Sequence, residues 1–289
     1  MRKVGWRHFR GGSEVRKGFP SLMFVIRTIL RRCVCLARVF GSKLGFGAAR
    51  SDSTNYAVVE GDVGPELLEG WRTRAVAGRQ WAAFAPLLKQ LHAGYPREDF
   101  VALAAAVKAT CADDPLVVEV GCGSGWNSEV MTTLLGRWIR YVGIDYAPAM
   151  LSHGKRHYPD LPFVAGDASY LPLCDGACDI LLSGTVLMHV LGYREAIMES
   201  RRVTRQWAIL HTVPVMQTRP TTVLSKEAYG QPIVEIIFNE GELLALLSQA
   251  GLAVVEVFDS IPYDLRAEIG EATSTKTFLC RVHSDVAVE

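Results

Sequence analysis

Three glycines within five positions, with carboxylates at set distances on either side, are the part of this chain whose residue types and spacing point to chemistry. In "VVEVGCGSGWNSEV", residues 117–130, Glu119 precedes Gly121, Gly123 and Gly125, and Cys122 and Ser124 fill the gaps. Glycines at the exit of a strand let backbone approach a ligand closely and adopt conformations that a side chain resists. A dinucleotide fingerprint would carry its third glycine where Trp126 stands, so the loop is not of that type. Twenty residues past Gly125 comes Asp145, in "VGIDYAPAML", placed to accept hydrogen bonds from both hydroxyls of a ribose. "FVAGDASYLPL" adds Asp167, placed to contact an adenine amino group.

These groups need a scaffold that gathers the ends of several strands, and the hydrophobic pattern supplies one. "PLVVEVG" reads as a buried strand, "SEVMTTLLGRW" as a helix, "IRYVGID" as a strand, "APAMLSHGKRHY" as a helix and "PFVAGD" as a short strand. "CDILLSG" continues as strand, "YREAIMESRRVT" as helix, "QWAILHTVPV" as strand and "NEGELLALLSQAG" as helix. "LAVVEVFDS" and "TKTFLCRVH" close the series as strands. The alternation predicts an α/β fold, a doubly wound, seven-stranded, mostly parallel sheet with helices on both faces. The last two strands lack a helix between them, so the final one is expected to run antiparallel, as a hairpin at one edge. Upstream, apolar residues three and four apart in "PELLEGWRTRAVAGRQWAAFAPLLKQLHAG" and "REDFVALAAAVKAT" predict an N-terminal helical cap of two or three helices, about 65–110. The glycine loop then lies at the carboxyl end of the first core strand, where sheets of this kind bind ligands.

Charge divides the 289 residues. Residues 1–50 hold twelve Arg or Lys against one acid, Glu14, for a charge of +11; the other residues hold 19 Lys or Arg against 29 Asp or Glu, or −10. The acidic body argues against a nucleic-acid track across the domain, because phosphate neutralisation needs clustered cations. The basic segment contains "SLMFVIRTILRRCVCLARVF", whose longest apolar run, Leu22 to Ile26, is far short of the roughly 20 residues of a membrane span. Residues 1–60 are read as a basic extension, disordered or amphipathic, whose arm is a candidate for a membrane surface or for targeting. Residues 61–289 are read as the folded domain, with its core about 115–285. Seven cysteines without Cys-x-x-Cys pairs suggest reduced thiols and a cytoplasmic setting rather than a disulfide framework.

The ordered set "EVGCGSG", "GIDYAPAML", "GDASYLP" and "CDILLSGTVLMHV" resembles the class I S-adenosylmethionine-dependent methyltransferases of the small-molecule type, over roughly residues 115–212. That resemblance implies a Rossmann-like fold and S-adenosyl-L-methionine as cofactor. It implies that Glu119 and the loop of Gly121, Cys122, Gly123, Ser124 and Gly125 wrap the methionine and ribose portions, and that Asp145 holds the ribose. Tyr146 would pack beside the adenine, Asp167 and the backbone of Ala168 would read its edge, and Ser183 with Gly184 would line the crevice. Asn127 is a candidate for the cofactor's carboxylate end. The chain departs from common relatives at "TRQW", where a Lys-Pro-Gly-Gly turn often leads into the fifth strand. The fourth strand ends "SGTVLM", without the motifs of adenine, glutamine or cytosine methylators.

A methyl acceptor with a proton to lose gains from a base near neutral pH, and histidine is the usual choice. His211 ends the fifth strand and His189 follows the fourth, so these two are the candidate catalytic or substrate-contact residues; Tyr193, Glu227, Tyr229 and Glu240 are weaker ones. The stretch "MQTRPTTVLSKEAYGQPIVEIIF" is long for a connection and is expected to cover the substrate. Metal ligation is not expected, since Cys174 and Cys178 have no further ligands near them. The function expected is methyl transfer to O, N or C of a small molecule, with no nucleic-acid partner for the core. The alternatives are RNA or protein methylation aided by the basic arm, and cofactor binding without catalysis.

Overall fold

A computed structural model describes residues 54–283. The basic segment 1–50, with its membrane and targeting readings, lies outside the described residues. Residues 54–58, assigned above to the extension, form strand β1 (Thr54–Val58) on the edge of the folded unit.

The expected cap is three helices and a turn. Helix α1 (Pro65–Glu69) opens on a proline at its first position, where the missing N–H costs nothing. It runs into a 3₁₀ turn, Gly70–Arg72. Thr73 then caps α2 (Arg74–His92), its hydroxyl accepting from Val76 N at 3.2 Å, and α3 (Glu98–Ala109) follows.

The core alternates as the periodicity predicts: β2 (Leu116–Val120), α4 (Trp126–Leu135), β3 (Arg140–Asp145), α5 (Pro148–His157), β4 (Phe163–Ala165), β5 (Cys178–Gly184), α6 (Tyr193–Val203) and β6 (Thr204–Met216). Helix α4 starts two residues earlier than its sequence signal and stops at Gly136, whose φ of 64° ends the helix in the left-handed conformation. Strands β4, β3, β2, β5 and β6 are parallel neighbours in that order. Beyond β6 lies β10 (Ser274–Val282), antiparallel both to β6 and to β9 (Leu252–Asp259). These seven strands are the predicted sheet, with one difference: the antiparallel last strand lies inside it, and β9 forms the edge.

The long connection after β6 is not a loop. It folds into the hairpin β7 (Thr222–Ala228) and β8 (Gln231–Asn239), turning through Tyr229 and Gly230 at positive φ. Strand β8 pairs in parallel with the far end of β6 at Val215 and Met216, and β1 pairs antiparallel with β7. Helix α7 (Glu240–Gln249), capped by Asn239, and the short α8 (Arg266–Ile269) complete the chain.

The sheet's two faces bury separate cores. Val117, Ile180, Leu182, Ile209 and Leu279 face α2, α3 and α4, while Ala208, Leu210, Phe278 and Cys280 face α6 and α7. Alternation along each strand sends neighbouring residues to opposite faces, so nearly continuous apolar runs are what a sheet covered on both sides requires. Among the described residues, no helix is long and apolar enough to cross a membrane.

Candidate functional site

A cavity of about 350 Å³ opens at the carboxyl ends of β2, β3 and β5, beneath the cap. Its wall carries Gly121, Gly123, Asp145, Tyr146, Gly166, Asp167 and Ala168 from the core, together with Thr185, Val186 and His189. Leu68, Trp71, Arg72 and Gln80 reach it from the cap.

All three loop glycines have positive φ: 67° at Gly121, 53° at Gly123 and 82° at Gly125. Much of the room left by their missing side chains is filled by the protein itself. A β-carbon on Gly125 would lie 2.8 Å from Phe163 Cζ, and one on Gly121 would meet Val186. The protein's own packing therefore demands glycine at both positions. At Gly123 a β-carbon would sit 3.2 Å from Gln80 Oε1.

Asp145 fixes this loop from the next strand. Its Oδ2 accepts from Gly123 N at 2.9 Å and its Oδ1 from Ala147 N at 2.8 Å. Each carboxylate oxygen can take a second donor, so the group remains able to receive a pair of hydroxyls. Burial pushes its carboxyl up to about 6, against the two backbone N–H groups that favour the charge. Tyr146 lies beside it, its hydroxyl donating to Leu68 O at 3.1 Å and its ring 5.0 Å from the Arg72 guanidinium. Asp167 is exposed, its Oδ1 accepting from Ser169 N at 2.8 Å. Behind that loop Arg202 donates to Leu173 O at 2.8 Å and Leu171 O at 3.2 Å, while Glu199 accepts from Leu171 N.

The remaining expected cofactor residues form a layer behind the wall. Glu119 is fully buried, taking hydrogen bonds from Asn127 Nδ2 at 2.6 Å and the Tyr141 hydroxyl at 2.5 Å. Burial lifts its carboxyl to about 8 despite these donors. Gly184 is packed so tightly on it that a β-carbon there would lie 1.9 Å from Glu119 Oε1. Ser183 is buried, Ser124 Oγ sits 3.4 Å from His153 Nδ1, and the Cys122 thiol, pushed well above its ordinary range by burial, packs under Gly143. None of these seven residues, Gly125 included, reaches the cavity wall.

The two candidate histidines part company. His189, in a 3₁₀ turn at Leu187–His189, lies on the cavity wall. Its Nδ1 is 2.7 Å from Val234 O of the hairpin. A carbonyl only accepts, so Nδ1 carries the proton and Nε2 keeps its lone pair. Burial, helped by the Lys226 ammonium, pushes the imidazole down to about 3, so it stays neutral. His211 is 2% exposed and away from the cavity, with Nδ1 2.9 Å from Thr277 Oγ1 and Nε2 3.2 Å from Thr212 Oγ1. The cause is a bulge: two residues, His211 and Thr212, lie between the partners of Phe278 and Lys276, where β10 supplies only Thr277, and Thr212 takes φ 55°. A bulge re-aims the side chains around it, so counting along the strand misplaces His211.

Of the weaker candidates, Tyr193 packs edge-on against Phe238, Glu227 accepts from Asn55, and Glu240 pairs with Lys276. Tyr229 stacks near Trp71 with ring centroids 5.8 Å apart. The expected cover is thus indirect: the hairpin holds His189 and backs Trp71, and the cap supplies the wall. Trp71 and Gln80 were not singled out from the sequence. Their indole Nε1 and amide Oε1 are buried without a partner among the described residues, a signal only coordinates carry.

A family model described as a methyltransferase domain matches residues 118–211. A probable S-adenosylmethionine-dependent methyltransferase of Mycolicibacterium smegmatis is 28% identical over 139 residues, covering 48% of this chain and 52% of that protein. The demethylmenaquinone methyltransferase of Renibacterium salmoninarum is 35% identical over 89 residues, or 31% of this chain and 36% of the relative. The chain thus spans about half the length of the first of these curated relatives and about a third of the second. In fold it is similar to the 1,6-didemethyltoxoflavin-N1-methyltransferase of Burkholderia thailandensis, solved with 1,6-didemethyltoxoflavin and S-adenosylhomocysteine: TM-score 0.51, 16% identity, 78% of this chain and 94% of that one.

Proposed function

Because the chain belongs to the class I S-adenosylmethionine-dependent methyltransferases, we propose that it moves the cofactor's methyl group to an acceptor atom of a small molecule. One observation carries this reading: bare backbone at Gly121 and Gly123, the Asp145 carboxylate, the Tyr146 ring and the Asp167–Ala168 edge share the wall of one cavity. That set suits the cofactor's chemistry. A diol finds a carboxylate with spare lone pairs, an aromatic ring finds Tyr146, and a polar edge finds Asp167 and the Ala168 backbone. The buried, unpartnered Gln80 Oε1 beside Gly123 adds an acceptor for an ammonium or hydroxyl donor.

The bound sulfonium supplies an activated methyl carbon, whose bond to sulfur breaks with the pair left on sulfur as the acceptor's lone pair bonds to carbon. What the chain contributes is alignment of the acceptor and exclusion of water, and Trp71 and His189 on the cavity wall, with Val186 packed against Gly121, are suited to that. The demethylmenaquinone named for the Renibacterium relative is neither a nucleic acid nor a protein, which favours a small-molecule acceptor here. The test is calorimetry with S-adenosylmethionine, followed by a screen of metabolite fractions for transfer of a labelled methyl group. Saturable binding that Asp145→Ala weakens, together with labelled low-mass product, is the expected result. Absence of binding by the unaltered protein would sink the reading.

A further inference from the structure

We infer that the acceptor is a planar hydroxy compound carrying a second oxygen beside the hydroxyl, bridging the Trp71 indole N–H and His189 Nε2. This rests on the methyl-transfer reading above and names its substrate class. The argument starts from two polar atoms with nothing to bond. The Nδ1–H of His189 is committed to Val234 O, and Nε2 has no hydrogen bond among the described residues. The indole N–H of Trp71 is buried without a partner. Both side chains line the same cavity, with ring centroids 5.0 Å apart and planes tilted by 54°. One site asks for a donor and the other for an acceptor. A hydroxyl flanked by a carbonyl or a second oxygen satisfies both from one side of one molecule, and leaving the buried indole N–H unmet is costly.

The surroundings set shape and charge. Leu68, Val186, Val190 and Leu191 are apolar residues of the same wall, and Tyr229 backs Trp71. Apolar and aromatic walls favour a flat, apolar scaffold. Leu68 and Leu191 are 39% and 37% exposed, so an apolar substituent on the scaffold can leave through the mouth between them. The charges at the mouth, Glu69 and Arg72, lie 3.3 Å apart and neutralise each other, leaving no counter-charge for an ionised acceptor. As the acceptor oxygen bonds to the methyl carbon, its O–H proton is taken through His189 Nε2 and handed directly to solvent, and its former O–H pair stays on oxygen, so the ether forms neutral and no lasting imidazolium is needed.

The test uses the full chain with catechol, 2-hydroxyacetophenone, phenol, aniline and benzoate as probes. Catechol and 2-hydroxyacetophenone should be methylated with the highest kcat/KM. His189→Asn keeps an N–H for Val234 O but removes the Nε2 lone pair; kcat on catechol should fall at least about tenfold, the effect of one lost hydrogen bond, with S-adenosylmethionine affinity unchanged. Trp71→Phe should raise KM about tenfold for 2-hydroxyacetophenone and leave phenol unaffected, the effect of one hydrogen bond. Independently of turnover, nitrogen NMR should find His189 neutral and protonated on Nδ1, with Nε2 shifting when catechol is added to the S-adenosylhomocysteine-bound protein. Preferential methylation of aniline or benzoate, an unchanged His189→Asn, or an enzyme that binds S-adenosylmethionine yet ignores both dioxygen probes overturns this inference. Failure to bind S-adenosylmethionine at all overturns the methyl-transfer reading instead.

Discussion

Val186 occupies the space that a side chain on Gly121 would need: a β-carbon there would lie 2.3 Å from Val186 Cβ. The loop after β5 therefore clamps the glycine loop after β2. Gly121→Ala should destabilise the protein by about 2–4 kcal/mol, from overpacking and the positive φ together. In urea unfolding, combining it with Val186→Gly should cost at least about 1 kcal/mol less than the two single changes summed. Strict additivity would mean that the two loops do not meet as described.

Asp145 holds the glycine loop and also lines the cavity, so its loss should act on both. Asp145→Asn keeps one acceptor oxygen but exchanges the other for a donor facing a backbone N–H. Affinity for S-adenosylmethionine, measured by calorimetry, should fall about 10- to 100-fold, as expected for bonds to a charged group at about 1.5–3 kcal/mol. Unchanged affinity would remove Asp145 from the site.

His211 should report on pH. Its folded-state value is lowered to about 4 from 6.5, so between those values the unfolded chain binds a proton that the folded chain refuses. Stability is therefore lost as pH falls from 6.5 towards 4, by about 3 kcal/mol for this group. Glu119 acts in the opposite sense: raised to about 8 from 4.5, it keeps a proton in the folded state and weakens stability as pH rises through that window. Measured against the unaltered protein, His211→Gln should flatten the acid side of the stability profile without a matching loss of kcat. An acid limb of the same slope in both proteins would contradict this.

Arg202 acts on the Asp167 side of the cavity only through the loop it holds. Its guanidinium binds two carbonyls, Leu171 and Leu173, and two carboxylates, Glu199 and Asp175, in a planar arrangement that a lysine ammonium cannot reproduce. Arg202→Lys should loosen the segment that begins at Asp167, raising the Kd for S-adenosylmethionine about three- to tenfold with little effect on global stability. Hydrogen exchange of the Leu171 and Leu173 amides should quicken in parallel.

What the sequence determined by itself was the order of elements and the end of the cavity formed by the glycine loop, Asp145 and Asp167. Apolar runs with periods of two and 3.6 set every core strand and helix within a few residues, because burial on both faces of a parallel sheet leaves few other patterns. The glycine loop, Asp145 and Asp167 were legible because each follows a strand directly, and a strand's end fixes where its next residues go. The end of the cavity lined by Trp71 and His189 was settled only by tertiary structure. His189 and His211 look alike in sequence, each close behind a core strand, yet a one-residue bulge opposite Thr277 turned His211 into a threonine-bonded structural group. Val234, 45 residues further on, fixed the tautomer of His189. Trp71 and Gln80 reach the cavity from a cap whose angle to the sheet depends on long-range packing. Contacts between residues so far apart along the chain leave no periodic trace in the local pattern, which is why that half of the cavity could not be read from the sequence alone.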